Sequence, residues 1–238
     1  MTRLVVNGCS YMYAYAQGNG HVALAQQLNI DQAESLAIEG ACNSRIIRTT
    51  IQDSYWAEQP TLYVVGITFL ARGELPINMI RDEVEGRWIG TQNFQFPGNE
   101  RYPPYWSKTD TKRYLELKTK TEIDSVEDRL EHLMYQLLMM IADLQSRGHQ
   151  VVIFRNPADA YDHWFDCRDF VPLSKSINIV DGLRWSAIQY QASVGVKFEP
   201  ADSIHPEGIR HPLPNQHGPL NNFLVEYINR HALYLPIL

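Results

Sequence analysis

Ser10 is the first candidate for chemistry in this chain. It lies in Leu4-Val5-Val6-Asn7-Gly8-Cys9-Ser10-Tyr11, where an apolar run stops at a glycine and a hydroxyl follows directly. β-Branched residues ahead of Gly-Cys-Ser predict a first strand that ends in a tight turn, and open α/β sheets bind ligands where their strands end. A serine hydroxyl becomes a nucleophile only with an imidazole to take its proton, a carboxylate to orient that imidazole, and donors for the developing oxyanion. The far end of the chain supplies the first two in one proline-punctuated segment. Asp202 and His205 stand in an Asp-x-x-His-Pro pattern, and His211-Pro212 follows just before the last helical stretch. Cys9, next to Ser10, is expected to pack beneath the sheet as a small hydrophobe. Arg72, a cation just beyond the third predicted strand, is a candidate for binding an anionic group of a substrate.

These residues need a scaffold, and the hydrophobic pattern predicts one of α/β type. Strands are expected at 3–7, 35–38, 61–67 and 150–154. Helices are expected at 20–29, with Val22, Leu24, Ala25 and Leu28 turned inward, and at 43–55. The stretch 61–67, TLYVVGI, is almost wholly apolar, as a parallel strand covered on both faces should be. From Asp124, a candidate cap, Val126, Leu130, Leu133, Leu137, Ile141 and Leu144 recur at three and four residues, and Gly148 closes that helix. Met134, Met139 and Met140 on it are read as core packing. A short strand is expected over VGVKF after Gly195, and a final amphipathic helix from about His217 to Arg230 that buries Leu220, Phe223, Leu224, Tyr227 and Ile228. Residues 74–123, rich in Gly, Pro and aromatics, read as an insertion after the third strand, a lid or substrate-binding element over the mouth of the sheet.

Length and composition fit one domain spanning 1–238 with an adequate core: 45% of the 238 residues are hydrophobic and 20% charged. A net charge of −6 without a basic run argues against a nucleic-acid partner. The chain opens directly on a strand-like segment and has no apolar stretch of spanning length, so a cytoplasmic protein without membrane association is expected. Its three cysteines, Cys9, Cys42 and Cys167, are far apart and lack zinc-site or dithiol spacing; neither a metal nor a cofactor is expected.

Four blocks together resemble the SGNH/GDSL hydrolase superfamily, in a divergent branch of bacteria and their phages. They are Asn7-Gly8-Cys9-Ser10-Tyr11, Gly40-Ala41-Cys42-Asn43-Ser44-Arg45-Ile46, Gly66-Ile67-Thr68-Phe69-Leu70-Ala71-Arg72, and the late His-Pro segment. The resemblance covers residues 3–72 and 200–231. It implies a three-layer α/β/α sandwich with a mainly parallel, flavodoxin-like sheet, and hydrolysis of an ester through an acyl-serine. Under it Ser10 is the nucleophile, and the backbone N–H of Gly40 joins that of Ser10 in the oxyanion hole. The third block normally adds an asparagine; Thr68 stands there instead, with Asn43 as a substitute donor. The Asp-x-x-His-Pro spacing favours His205 as the base, while closeness to the last helix favours His211; Asp202 orients either one. The implied substrate is an O-acylated small molecule or carbohydrate. Two alternatives remain open: an acyltransferase that uses the same serine, and a degenerate member that binds a ligand without turnover.

Overall fold

The computed structural model describes residues 3–39, 41–68, 70, 73–76, 88–91, 112, 116, 126–156, 178–183, 185–198, 211–213, 216–231 and 233. Strands β1 (Arg3–Gly8), β2 (Gln32–Ser35), β3 (Thr61–Ile67), β4 (Gly73–Pro76), β5 (Trp88–Thr91) and β6 (Gln150–Arg155) follow in chain order. The helices are α1 (Ser10–Gln17), α2 (Gly20–Gln27), α3 (Asn43–Trp56), α4 (Val126–Ser146), α5 (Ala187–Ser193) and α6 (Gly218–Arg230). β2, β1, β3 and β6 lie side by side in that order with every pairing parallel, and β4 and β5 form a separate antiparallel ladder. The fold is therefore α/β, as its alternating pattern of strand and helix predicts.

Every residue of β1 and β3 is buried, because helices cover both faces. Asn7 reaches into α3 on one face, and α3 packs against α4 there. On the other face the next residue, Gly8, lies against Met12 of α1, and α1 and α6 both pack on α2. α4 buries Leu130, Leu133, Leu137, Ile141 and Leu144, the predicted stripe from its second member on, and ends at Gly148, whose φ of 78° reverses the chain towards β6. Trp185 stacks on Phe223 of α6 at 4.1 Å and meets Phe154 of β6 edge-on at 5.8 Å, which ties the last helix to the sheet.

Several expectations are corrected. The second strand is Gln32–Ser35, three residues before the apolar Ser35–Ile38. It is an edge strand with mostly exposed residues, so hydrophobicity does not mark it; its ladder with β1 continues through Leu36 N–H to Val6 O at 2.9 Å. A separate helix, α1, precedes Gly20. Met134 and Met140 are in the core, but Met139 is 73% exposed, because it falls on the outer face of α4. Among the described residues, the segment after Gly195 makes a single bridge, Phe198 to Pro212, rather than a strand. In α6, Leu220, Leu224 and Ile228 are buried, and Phe223 and Tyr227 only partly. The cap at Asp124 and the expected insertion, apart from the β4–β5 ladder and residues 112 and 116, lie outside the described residues.

Candidate active site

The strand order makes the gap between β1 and β3 a topological switch point: the chain leaves β1 towards β2 on one side and returns to β3 on the other. Ligands in open α/β sheets bind at the carboxyl ends of strands at such a point. Ser10 follows β1 and Thr68 follows β3, so the two flank it. Gly8, Gly66 and Phe154 form one paired row across β1, β3 and β6. Ser10, Thr68 and Asn156 are each two residues further along their chains.

Two glycines shape this end of the sheet. A Cβ on Gly8 would stand 2.4 Å from Met12 Cγ and 2.8 Å from the Gly66 carbonyl oxygen, so only glycine lets α1 close over the end of β1. A Cβ on Gly66 would stand 2.4 Å from Asn156 Nδ2 and 2.6 Å from its Oδ1; the missing side chain is the seat of the Asn156 carboxamide. Asn7 locks the strand end to α3. Its Nδ2 donates to Ile46 O at 3.0 Å and approaches Thr49 Oγ1 and Thr50 Oγ1 at 2.9 Å, while its Oδ1 accepts from Gly8 N–H at 2.8 Å.

Ser10 is the first residue of α1 and is half-buried. Cys9 occupies the N-cap position with no side-chain capping bond, and the first helical hydrogen bond runs from Tyr13 N–H to Cys9 O at 2.9 Å. The N–H groups of Ser10, Tyr11 and Met12 thus precede the helical ladder, as donors at the positive end of the helix dipole. Cys9 is buried as expected, with Sγ 3.8 Å from Asn156 Nδ2.

Asn43 is held at the end of β3 by the backbone of Thr68. Its Nδ2 donates to Thr68 O at 3.1 Å and its Oδ1 accepts from Thr68 N–H at 2.8 Å, so it clamps the backbone at the end of β3. Thr68, held by that clamp, is 3% exposed, and its Oγ1 has no hydrogen-bond partner. The same is true of Asn156 Oδ1 and of the Tyr11 hydroxyl. Burial, reinforced by Cys9, pushes the Tyr11 phenol far above its ordinary range, so it remains a neutral donor. A buried polar atom without a partner costs about 1–3 kcal/mol. Such atoms in residues that end or follow β1, β3 and β6 mark the place where a ligand or water would satisfy them.

Of the histidine side of the expected triad, His211 is among the described residues. Leu213 N–H donates to Lys197 O at 3.0 Å and Pro212 bridges Phe198, which places His211, half-buried, beside the segment after α5. His217 caps α6 in place of starting it and meets Tyr15 edge-on at 5.9 Å, towards the far end of α1 from Ser10; burial lowers its pKa. Asp202, His205, Gly40 and Arg72 lie outside the described residues.

Asn156 was not among the candidates read from the sequence. Its signal was available, since it is a polar residue that ends an apolar strand immediately before a proline, as Ser10 follows Gly8 after β1. A groove of about 460 Å³ along α3, lined by Ser44, Ile47, Arg48, Ile51, Gln52, Tyr55 and Gln136, lies on the opposite face of the sheet from α1. Among the described residues, no helix is long and apolar enough to cross a membrane. No protein-family model matches the chain, and no curated protein matches it.

Proposed function

We propose that this protein is a serine-dependent esterase of SGNH/GDSL type that acts on an O-acylated small molecule or carbohydrate. One observation carries the reading: Ser10 begins α1 at the switch point of a parallel sheet, beside uncapped N–H donors and an unpartnered Thr68 hydroxyl.

In this mechanism Ser10 Oγ attacks the ester carbonyl while a histidine of the 205–211 segment, His205 or His211, takes its proton and Asp202 orients the ring. Charge on the tetrahedral oxygen falls on the N–H groups of Ser10 and Gly40 and on the Thr68 hydroxyl; Asn43 contributes by fixing the backbone that carries Thr68. Collapse breaks the ester C–O bond, the histidine returns the proton to the leaving alcohol, and an acyl-serine remains. Water, deprotonated by the same histidine, then releases the acid and restores Ser10. Arg72 would meet an anionic group of the substrate.

The test is labelling with a serine-directed fluorophosphonate, followed by peptide mapping. The reading expects one adduct, on Ser10, and its loss in Ser10→Ala. No adduct on folded protein would instead favour ligand binding without turnover, for which Thr68, standing where the family places an asparagine, is the motive.

A further inference from the structure

Two helices in this fold begin with a cysteine at the N-cap, and the two cysteines behave differently. Cys42 (φ −95°, ψ 167°) caps α3, with Sγ accepting from Arg45 N–H, the third helical residue, at 3.5 Å. Cys9 (φ −85°, ψ −163°) has nearly the same backbone and makes no such bond. The equivalent donor is Met12 N–H, which receives no bond from Cys9 Sγ. Besides a 30° difference in ψ, the two side chains differ in what surrounds them.

Around Cys9 that is Asn156. The carboxamide is wholly buried over Gly66, and its main chain is fixed on both sides: its N–H donates to Ile67 O at 3.0 Å, and its C=O accepts from Ser186 Oγ at 3.2 Å and Ile188 N–H at 3.1 Å. Its Nδ2 is turned to Cys9 Sγ at 3.8 Å, and its Oδ1 is without a partner. The geometry points to Asn156 as a positioning residue for the nucleophile turn: it holds the Cys9 side chain inward, off Met12 N–H, and so keeps that N–H, beside the Ser10 N–H at the positive end of α1, available as a further donor to the oxyanion. This inference rests on the serine-hydrolase reading for its catalytic consequence, though not for its structural one. Gly66 belongs to the same device, because any larger residue would displace the carboxamide.

The experiment compares Asn156→Ala with the double variant Cys9→Ala/Asn156→Ala, by crystal structure and by steady-state hydrolysis of a short-chain nitrophenyl ester. Asn156→Ser takes the place of Asn156→Ala if the latter does not fold. In the single variant Cys9 Sγ is expected to swing within hydrogen-bond distance of Met12 N–H, as Cys42 Sγ does with Arg45 N–H. kcat is expected to fall about 10-fold to 100-fold with KM little changed, a part of what losing an oxyanion donor costs. Removing the Cys9 side chain in the double variant should restore most of kcat, which a merely structural role for Asn156 would not allow. An unmoved Cys9 Sγ, or a loss of kcat that the second substitution fails to restore, overturns the inference. If wild-type protein shows no Ser10-dependent turnover, the esterase reading fails, and the Cys9 rotamer alone decides the claim about positioning.

Discussion

At the amino end of the sheet, Arg3 of β1 donates to Glu34 of β2 at 2.7 Å and to Asp53 of α3 at 2.8 Å, and Tyr63 of β3 donates to Asp53 at 2.7 Å. His149, just before β6, accepts from Thr61 N–H at 3.2 Å through Nδ1, which leaves Nε2 to donate to Ser54 O at 3.3 Å. At the carboxyl end, Thr68 Oγ1 and Asn156 Oδ1 are buried without partners, and α1 starts without a side-chain cap. The same four strands thus carry a satisfied polar network at one edge and an unsatisfied one at the other. The first serves stability. The second is a standing cost, of the kind that persists where a site needs groups free to meet a ligand.

Substitutions at the two edges should therefore dissociate activity from stability. The largest effect is expected for the histidines. Either His205→Ala or His211→Ala, but not both, should lower kcat by several orders of magnitude with unfolding midpoints unchanged, and parallel kinetics on the two variants identifies the base. Next, Thr68→Val should lower kcat by about 100-fold as the donor is lost, while stability is unchanged or slightly raised, because an orphaned hydroxyl is replaced by a methyl. Equal loss of kcat and of folded protein would place Thr68 with the structural groups.

The amino edge should respond in reverse. Arg3→Met leaves Asp53 without its cation and should cost about 2–3 kcal/mol in denaturant unfolding, somewhat under the full cost of breaking a completely buried pair. kcat of the folded fraction should not change. The smallest effect is a pH dependence. Burial lowers the pKa of His149, so the unfolded chain binds the extra proton first, and the stabilising contribution, full above the ordinary value of 6.5, is lost as pH falls below it. Burial lowers His21 and His217 in the same sense, so a His149→Asn variant should flatten the fall in unfolding midpoint between neutral and mildly acid pH without abolishing it. At lower pH Asp53 follows. Burial opposes its charge, but hydrogen bonds from Arg3 and Tyr63 prevail and hold its carboxyl below 3.8, so its contribution is lost only as pH falls past that value.

Central strands and the long helix were legible in the sequence because burial on both faces, or along one stripe, writes itself as composition and period. β3 was read to the residue, and α4 by its leucines. β2 was displaced because an edge strand is held by backbone pairing with β1, and its residues, Gln32 to Ser35, carry no hydrophobic signature. At the site, Ser10 was legible from Gly-Cys-Ser after an apolar run. Asn43 was legible as a residue of the site, but its clamp on the Thr68 backbone, which joins residues far apart in sequence, was not. Asn156 was not, since its place depends on the register of β6 against β3 and on Gly66 across that ladder, a relation between residues ninety positions apart.

The central claim is that the carboxyl edge is a reactive serine site, and hydrolysis of short-chain nitrophenyl esters by wild-type protein and Ser10→Ala, measured side by side, tests it most directly. Turnover by the wild type that disappears in Ser10→Ala, with both proteins equally folded, is the predicted result. Turnover that survives the substitution would contradict the assignment of Ser10 as the nucleophile.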